Sequence, residues 1–271
     1  MAGIRGKRSW VKVTGNAGQL DWCLISFAII GGMLVLLPLL ALINITLGQL
    51  QDIPFLIGIA TQKQVVDSIL LTFGAALVAV IILVILGTPL SYVLARTQSR
   101  LNQVVESLID LPLVLPHTVA GLMVYILFMQ RGLIGVPLKN MGIVFEDAFP
   151  GIVVAMLFVA MPFYINSVRE GFQKVPVHLE NVARTLGATR FRAFCLIVLP
   201  SSVRHIFNGC ILAWGRAISE FAAIIMIAYY PMVISTLIYY KFTTVVIKDR
   251  SAVSFVMIAE CIIVFLALRS F

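Results

Sequence analysis

Six apolar stretches, at 23–43, 68–95, 107–129, 151–168, 206–228 and 252–268, set what this chain can become. The hydrocarbon core of a bilayer is roughly 30 Å thick and takes about 20 helical residues to cross, and each stretch is of that order. Composition agrees. Of 271 residues, 61% are hydrophobic and 12% charged, and the mean hydropathy is +1.04. A soluble domain of this size would expose far more charge. The chain reads as an all-α membrane protein with six transmembrane helices.

The first stretch follows Arg5, Lys7, Arg8 and Lys12, much as a secretory signal would. Its apolar part exceeds the usual run of about 7–15 residues and no small-x-small cleavage site follows, so it is expected to remain as a span. Lysine and arginine then orient the chain. Thirteen fall in the N-terminal tail, the second–third loop (Arg96, Arg100), the fourth–fifth loop (Arg169, Lys174, Arg184, Arg190, Arg192, Arg204) and the C-terminus (Arg269). Six fall on the other side: Lys63, Arg131, Lys139, Lys241, Lys248 and Arg250. The positive-inside rule puts both termini and the fourth–fifth loop in the cytoplasm, and an even number of spans agrees. This asymmetry also accounts for the net charge of +8, so no nucleic-acid partner is expected. The halves show no convincing self-similarity of the kind that marks inverted-repeat carriers.

The fourth–fifth loop is basic, marked by glycine and about 30 residues long. It is too patterned for a bare linker. Helix formers follow Pro176 over 177–185, with Glu180 near the first turn, where a proline and an acid suit a helix start and its dipole. Gly187 is expected to end that helix, because glycine tolerates the left-handed conformation. A second helix over 188–199 would lead back to the membrane, with Pro200 marking a break. The compact helix–turn–helix over 176–200 is either a docking element or a solvated loop held on anionic lipid by Arg184, Arg190 and Arg192.

Ionisable groups inside a bilayer are costly, which makes Asp110, Arg216, Glu220 and Glu260 functional candidates. Arg216 and Glu220 stand four apart and can pair on one face of a helix. The third span begins Asp110-Leu-Pro-Leu-Val-Leu-Pro116-His117-Thr118. Its prolines, Pro112 and Pro116, free backbone carbonyls and favour a bent or broken helix, tolerated only where it lines protein or a water-filled cavity. His117 and Thr118 add polar groups just past the bend. The three His and four Cys have no metal-ligand spacing, and buried inert thiols are the expected state of the cysteines.

These residues carry a resemblance. The loop is similar to the signature loop of type I ABC importer permeases: Glu-Ala-Ala, three residues, Gly, nine residues, then Ile-x-Leu-Pro. Asn181, Val182 and Ala183 stand where the Glu-Ala-Ala run falls, and Gly187, Ile197, Leu199 and Pro200 keep the spacing. The third-span run and Gly215-Arg-Ala-Ile-Ser-Glu-Phe-Ala-Ala resemble the molybdate, tungstate and sulfate permeases, with His117 in place of a proline and Ser219 and Ala222 in place of glycines. The likeness covers 63–271, the expected permease core, and leaves 1–62 as tail, first span and extracytoplasmic loop.

The resemblance implies a transport role. It assigns Glu180, Ala183, Arg184, Leu186, Gly187, Ala188 and Arg190 to coupling with an ATPase subunit. It assigns Pro116, His117, Thr118, Arg216, Ser219 and Glu220 to the translocation pathway or its gate. The implied assembly in a prokaryotic cell membrane is a homodimer with two ATP-binding subunits and an extracytoplasmic oxyanion-binding protein. ATP and Mg belong to the partner, since this chain has no phosphate-binding Gly-x-x-x-x-Gly-Lys-Ser/Thr loop; its one Gly-Lys pair, Gly6-Lys7, is followed by Arg8. No catalytic residue, metal or bound cofactor is expected. Molybdate or tungstate comes first as substrate and sulfate or thiosulfate second. An ion-coupled secondary transporter using Asp110, Glu220 or Glu260 is the rival class. A structural subunit of a redox complex would need paired histidines in the membrane, and His178 and His205 fall outside it.

Overall fold

A computed structural model describes residues 53–244 and 25–34, with a few positions between 36 and 44. The chain divides into two units, 1–51 and 52–271. The first contributes the apolar helix α1 (Ile25–Leu34), part of the expected first span. The expected sixth span, 252–268 with Glu260, lies outside the described residues.

In the second unit every described element is helical. In chain order these are α2 (Ile53–Ala60), α3 (Lys63–Arg96), α4 (Arg100–Val114), α5 (His117–Phe128), α6 (Gly135–Asn140), α7 (Phe149–Lys174), α8 (Val177–Thr185), α9 (Arg190–Ser201), α10 (Val203–Ile218), α11 (Ala222–Ile227) and α12 (Ile234–Thr244). Among the described residues two helices, α3 and α7, are long and apolar enough to cross a membrane. There are up to four crossings if the bent pairs α4–α5 and α9–α10 each count as one.

α7 is the central helix, packed on α3, α4, α5, α10 and α11. Small residues bring its neighbours close, as is usual where lipid supplies no hydrophobic drive between helices. Ala75, Ala76 and Ala79 of α3, Ala155 and Ala160 of α7, and Ala213 and Ala217 of α10 are fully buried. A Cβ on Gly171 would lie 2.4 Å from His205 Cβ, so α10 crosses α7 where no side chain fits. On the opposite face of α3, Leu70, Leu77, Ile81, Ile85 and Leu86 stand exposed. A helix apolar on both its faces suits lipid.

The breaks differ from the expected spans, and proline chemistry explains two of them. Over 107–129 a bent or broken span was expected, and α4 and α5 meet at 120° across a break. Pro112 stays inside α4. The break falls at Leu115–Pro116 instead, where Leu115 is extended (φ −71, ψ 141), the conformation a following proline enforces. Pro200 was expected to end the helix over 188–199. That helix starts at Arg190, because the Thr189 hydroxyl accepts from Arg192 N at 3.2 Å. It continues through Pro200, and the 70° bend comes at Ser202. A π turn, Phe194–Val198, precedes Pro200 just as another, Leu83–Gly87, precedes Pro89. Such turns let the backbone re-route its bonds near a missing N–H donor.

The expected span 206–228 is also divided. α10 ends at Ile218 and α11 begins at Ala222. Between them the Glu220 side chain takes the Ala223 N–H at 2.8 Å, which a continuous helix would direct to a backbone carbonyl. The spans expected at 68–95 and 151–168 fall within α3 and α7.

Candidate functional site

The helix–turn–helix forms as the loop chemistry dictates. Gly187 has φ +94. Gly187 N donates to Arg184 O and Ala188 N to Ala183 O, both at 3.0 Å, the paired bonds that close a helix on a left-handed glycine. Behind this turn, α8 is fastened to the protein body through Glu180, which is 7% exposed. Arg96 meets Glu180 Oε1 at 2.7 Å from Nε and 2.6 Å from Nη2, and the Tyr92 hydroxyl donates to Oε2 at 2.6 Å. Arg96 Nη2 also donates to Val175 O at 3.0 Å. Tyr92 packs on Phe172 and Phe194, so α3, α7, α8 and α9 converge here.

The residues assigned to coupling therefore divide. Glu180 faces the body of the protein, and Ala183 and Ala188 are half-buried. Arg184, Leu186, Gly187 and Arg190 are exposed, Leu186 at 84%. Phe191, 74% exposed, joins them; its signal in sequence is an aromatic set between two arginines. A cleft of about 880 Å³ opens beside the turn, lined by Val93, Arg96, Asn181, Arg184, Arg190 and Phe191.

A second polar cluster bridges two helix breaks. Arg216 Nη2 lies 2.6 Å from Glu220 Oε2, and its Nη1 donates to Ser219 Oγ at 3.1 Å. Glu220 is only 2% exposed, but both carboxylate oxygens are engaged, Oε1 by Ala223 N. The expected Arg216–Glu220 pair is present. It joins the end of α10 to the break that follows, whereas one continuous helix face was expected. From the start of α5, the two ring nitrogens of His117 approach Arg216 Nη2 at 3.1 and 3.3 Å, and Nδ1 lies 4.0 Å from Glu220 Oε2. Pro116 and Thr118 flank His117 and are exposed. Ser219 donates its hydroxyl hydrogen to Arg216 O at 3.0 Å, so that proton is engaged within the cluster.

Two further features went unread in the sequence. A Cβ on Gly121 would lie 2.6 Å from Ala223 Cα, so α5 and α11 touch backbone to backbone beside the cluster. Asp110 is held by Asn166 Nδ2 at 2.7 Å, which links α4 to α7. Among the described residues no group of three His, Cys, Asp or Glu is placed to hold a metal. Cys195 and Cys210 are free, half-buried thiols.

Residues 87–271 match the family described as binding-protein-dependent transport system inner membrane component. The chain is 35% identical to a molybdate/tungstate transport system permease protein of Pyrococcus abyssi, over 93% of this chain and 96% of that one. A sulfate transport system permease protein of Escherichia coli is 31% identical over 88% of this chain and 87% of its own. In three dimensions the chain is similar to one in the crystal structure of a bacterial alginate ABC transporter bound to a pentasaccharide-loaded periplasmic protein. The TM-score is 0.69 at 18% identity, with 92% of each chain covered, a likeness of fold. With a family match over most of its length and relatives aligned nearly end to end, this chain belongs to the inner-membrane permease subunits of binding-protein-dependent ABC importers.

Proposed function

We propose that this permease carries molybdate or tungstate into a prokaryotic cell by alternating access, as a homodimer with two ATP-hydrolysing subunits and an extracytoplasmic binding protein. The observation that carries this reading is the glycine-closed helix pair anchored by Glu180 and Arg96. A loop meant only to rest on lipid needs no buried ion pair behind it. The exposed tip, with Leu186, Arg184, Arg190 and Phe191, is the surface offered to the ATPase, on which ATP and Mg reside. In this reading the chain has six spans, and the loop and both termini are cytoplasmic. The likeness to molybdate/tungstate permeases along nearly the whole chain supports molybdate or tungstate as the substrate.

Electrostatics requires an energy source. Moving a dianion into an inside-negative cell costs about 4.6 kcal/mol at about 100 mV, twice the cost per charge. An open channel would leak the anion outward. The charge cluster suits transient contact, because Glu220 already offsets Arg216 and a neutralised cation does not trap a dianion.

Sulfate is the second reading, favoured by the relatives that are sulfate permeases. Uptake of labelled tungstate into proteoliposomes holding the whole complex, competed by unlabelled molybdate or sulfate, separates the two. The proposal expects molybdate to compete and sulfate to fail at the same concentration; the reverse order makes this a sulfate importer. Uptake driven by an ion gradient without ATP contradicts both readings.

A further inference from the structure

The His117–Arg216 contact has a consequence for regulation. Arg216 Nη2 can donate only to an unprotonated ring nitrogen, and it sits against both. An imidazolium there would set a second cation about 3 Å from the guanidinium while drawing on the same carboxylate, Glu220, at 4.0 Å. The charge of the three groups together would pass from zero to plus one. Histidine is the side chain whose ordinary titration falls between about pH 5 and 8. The His117 side chain is 46% exposed, whereas Glu220 is buried.

Among the described residues the polar contacts of the ring run to Arg216 and Glu220. α10 and the turn after it present Arg216 and Glu220, and α11 has no ionisable side chain. On α7, Arg169 is paired with Glu106 of α4, and Lys174 with Glu170. Asp110 of α4 is bound by Asn166. Lys139 of α6 is bound by Gln130. α5 itself carries only Tyr125, two turns further on.

We propose that His117 is a proton-sensitive strut of the translocation pathway, bracing Arg216 against Glu220 when neutral and pushing it away when protonated. The strut joins the break before α5 to the break after α10, so losing it loosens both bent segments together. The added positive charge also lengthens the stay of a passing dianion, an effect that rests on the oxyanion reading above. Uptake should fall on acidification, and the fall should depend on His117.

The test uses two readouts on wild type and His117→Gln, with His117→Asn as a second variant should the first not assemble. ATP-driven tungstate uptake by the reconstituted complex is measured from about pH 7.5 to about pH 5.5, the window of imidazole titration. The wild type should lose about fivefold relative to the variant, the lower end of usual coupling between sites. The melting temperature of the solubilised permease is followed over the same range and should drop further on acidification in the wild type. Coincident profiles of wild type and variant in either readout overturn the strut. A complex that moves no oxyanion at any pH overturns the oxyanion reading instead, and the melting profiles then decide the strut alone.

Discussion

Glu180 and Arg96 lie 84 residues apart in sequence and form a nearly buried ion pair with a shortest contact of 2.6 Å. The pair ties the helix that carries the exposed loop tip to the last turn of α3, a helix long enough to cross a membrane.

Removing one partner of a buried pair leaves an uncompensated charge and commonly costs about 3–5 kcal/mol. Glu180→Gln and Arg96→Ala should each lower the melting temperature of the permease and abolish substrate-stimulated ATP hydrolysis in the complex. Arg96→Lys keeps the charge but loses the two-pronged geometry, and should recover part of the stability. Full stimulation in Glu180→Gln would show that α8 is held by other means.

Gly187 separates folding from docking. A Cβ there meets nothing within 4 Å, so the cost of a side chain is the left-handed backbone alone, about 1–2 kcal/mol. Gly187→Ala should fold with a slightly lower melting temperature and remain coupled. Gly187→Trp projects a bulky ring from the tip and should lose stimulated ATPase activity while staying folded. Normal stimulation with the tryptophan in place would remove this turn from the contact with the ATPase.

That glycine was legible because its signal is local: a helical run, a glycine, then a basic run. The Arg96–Glu180 anchor was not, because nothing short-range links residues so distant in sequence. Only the four-residue spacing of Tyr92 and Arg96 on α3 hints at a shared face. The two prolines of the third span announced a break without saying where. Val114 ends α4 because Pro116 restricts Leu115, while Pro112 is tolerated inside the helix. The divided fifth span was hidden more deeply, since α10 and α11 are separated by one carboxylate folding back on Ala223 N within an apolar run. The pairing of Arg216 with Glu220 was legible from two ionisable residues four apart in an apolar run. The third member of the cluster, His117, joined through tertiary contact.

A double-mutant cycle tests the cluster. Glu220→Gln leaves Arg216 without its anion, and Arg216→Met leaves Glu220 without its cation. Each should cost about 3–5 kcal/mol, and the double change should recover most of the folding stability. Recovery of folding without transport means that one of the charges serves the pathway. Additive losses would show that the 2.6 Å contact contributes nothing to stability.

Orientation is tested by labelling. In a background lacking the four native cysteines, cysteines at Lys139 and Arg190 should react from opposite sides, because α7 lies between them. An impermeant reagent should reach position 139 in intact cells and position 190 only after lysis. Reaction of both from outside overturns the six-span topology.

The most direct test is ATP hydrolysis by the complete complex in lipid, assayed with the binding protein empty, loaded with tungstate, and loaded with sulfate. The account predicts strong stimulation by the tungstate-loaded protein, little by the other two, and loss of that stimulation when Gly187→Trp is introduced into this chain. Equal hydrolysis with and without loaded binding protein, or stimulation indifferent to the tip, would contradict it.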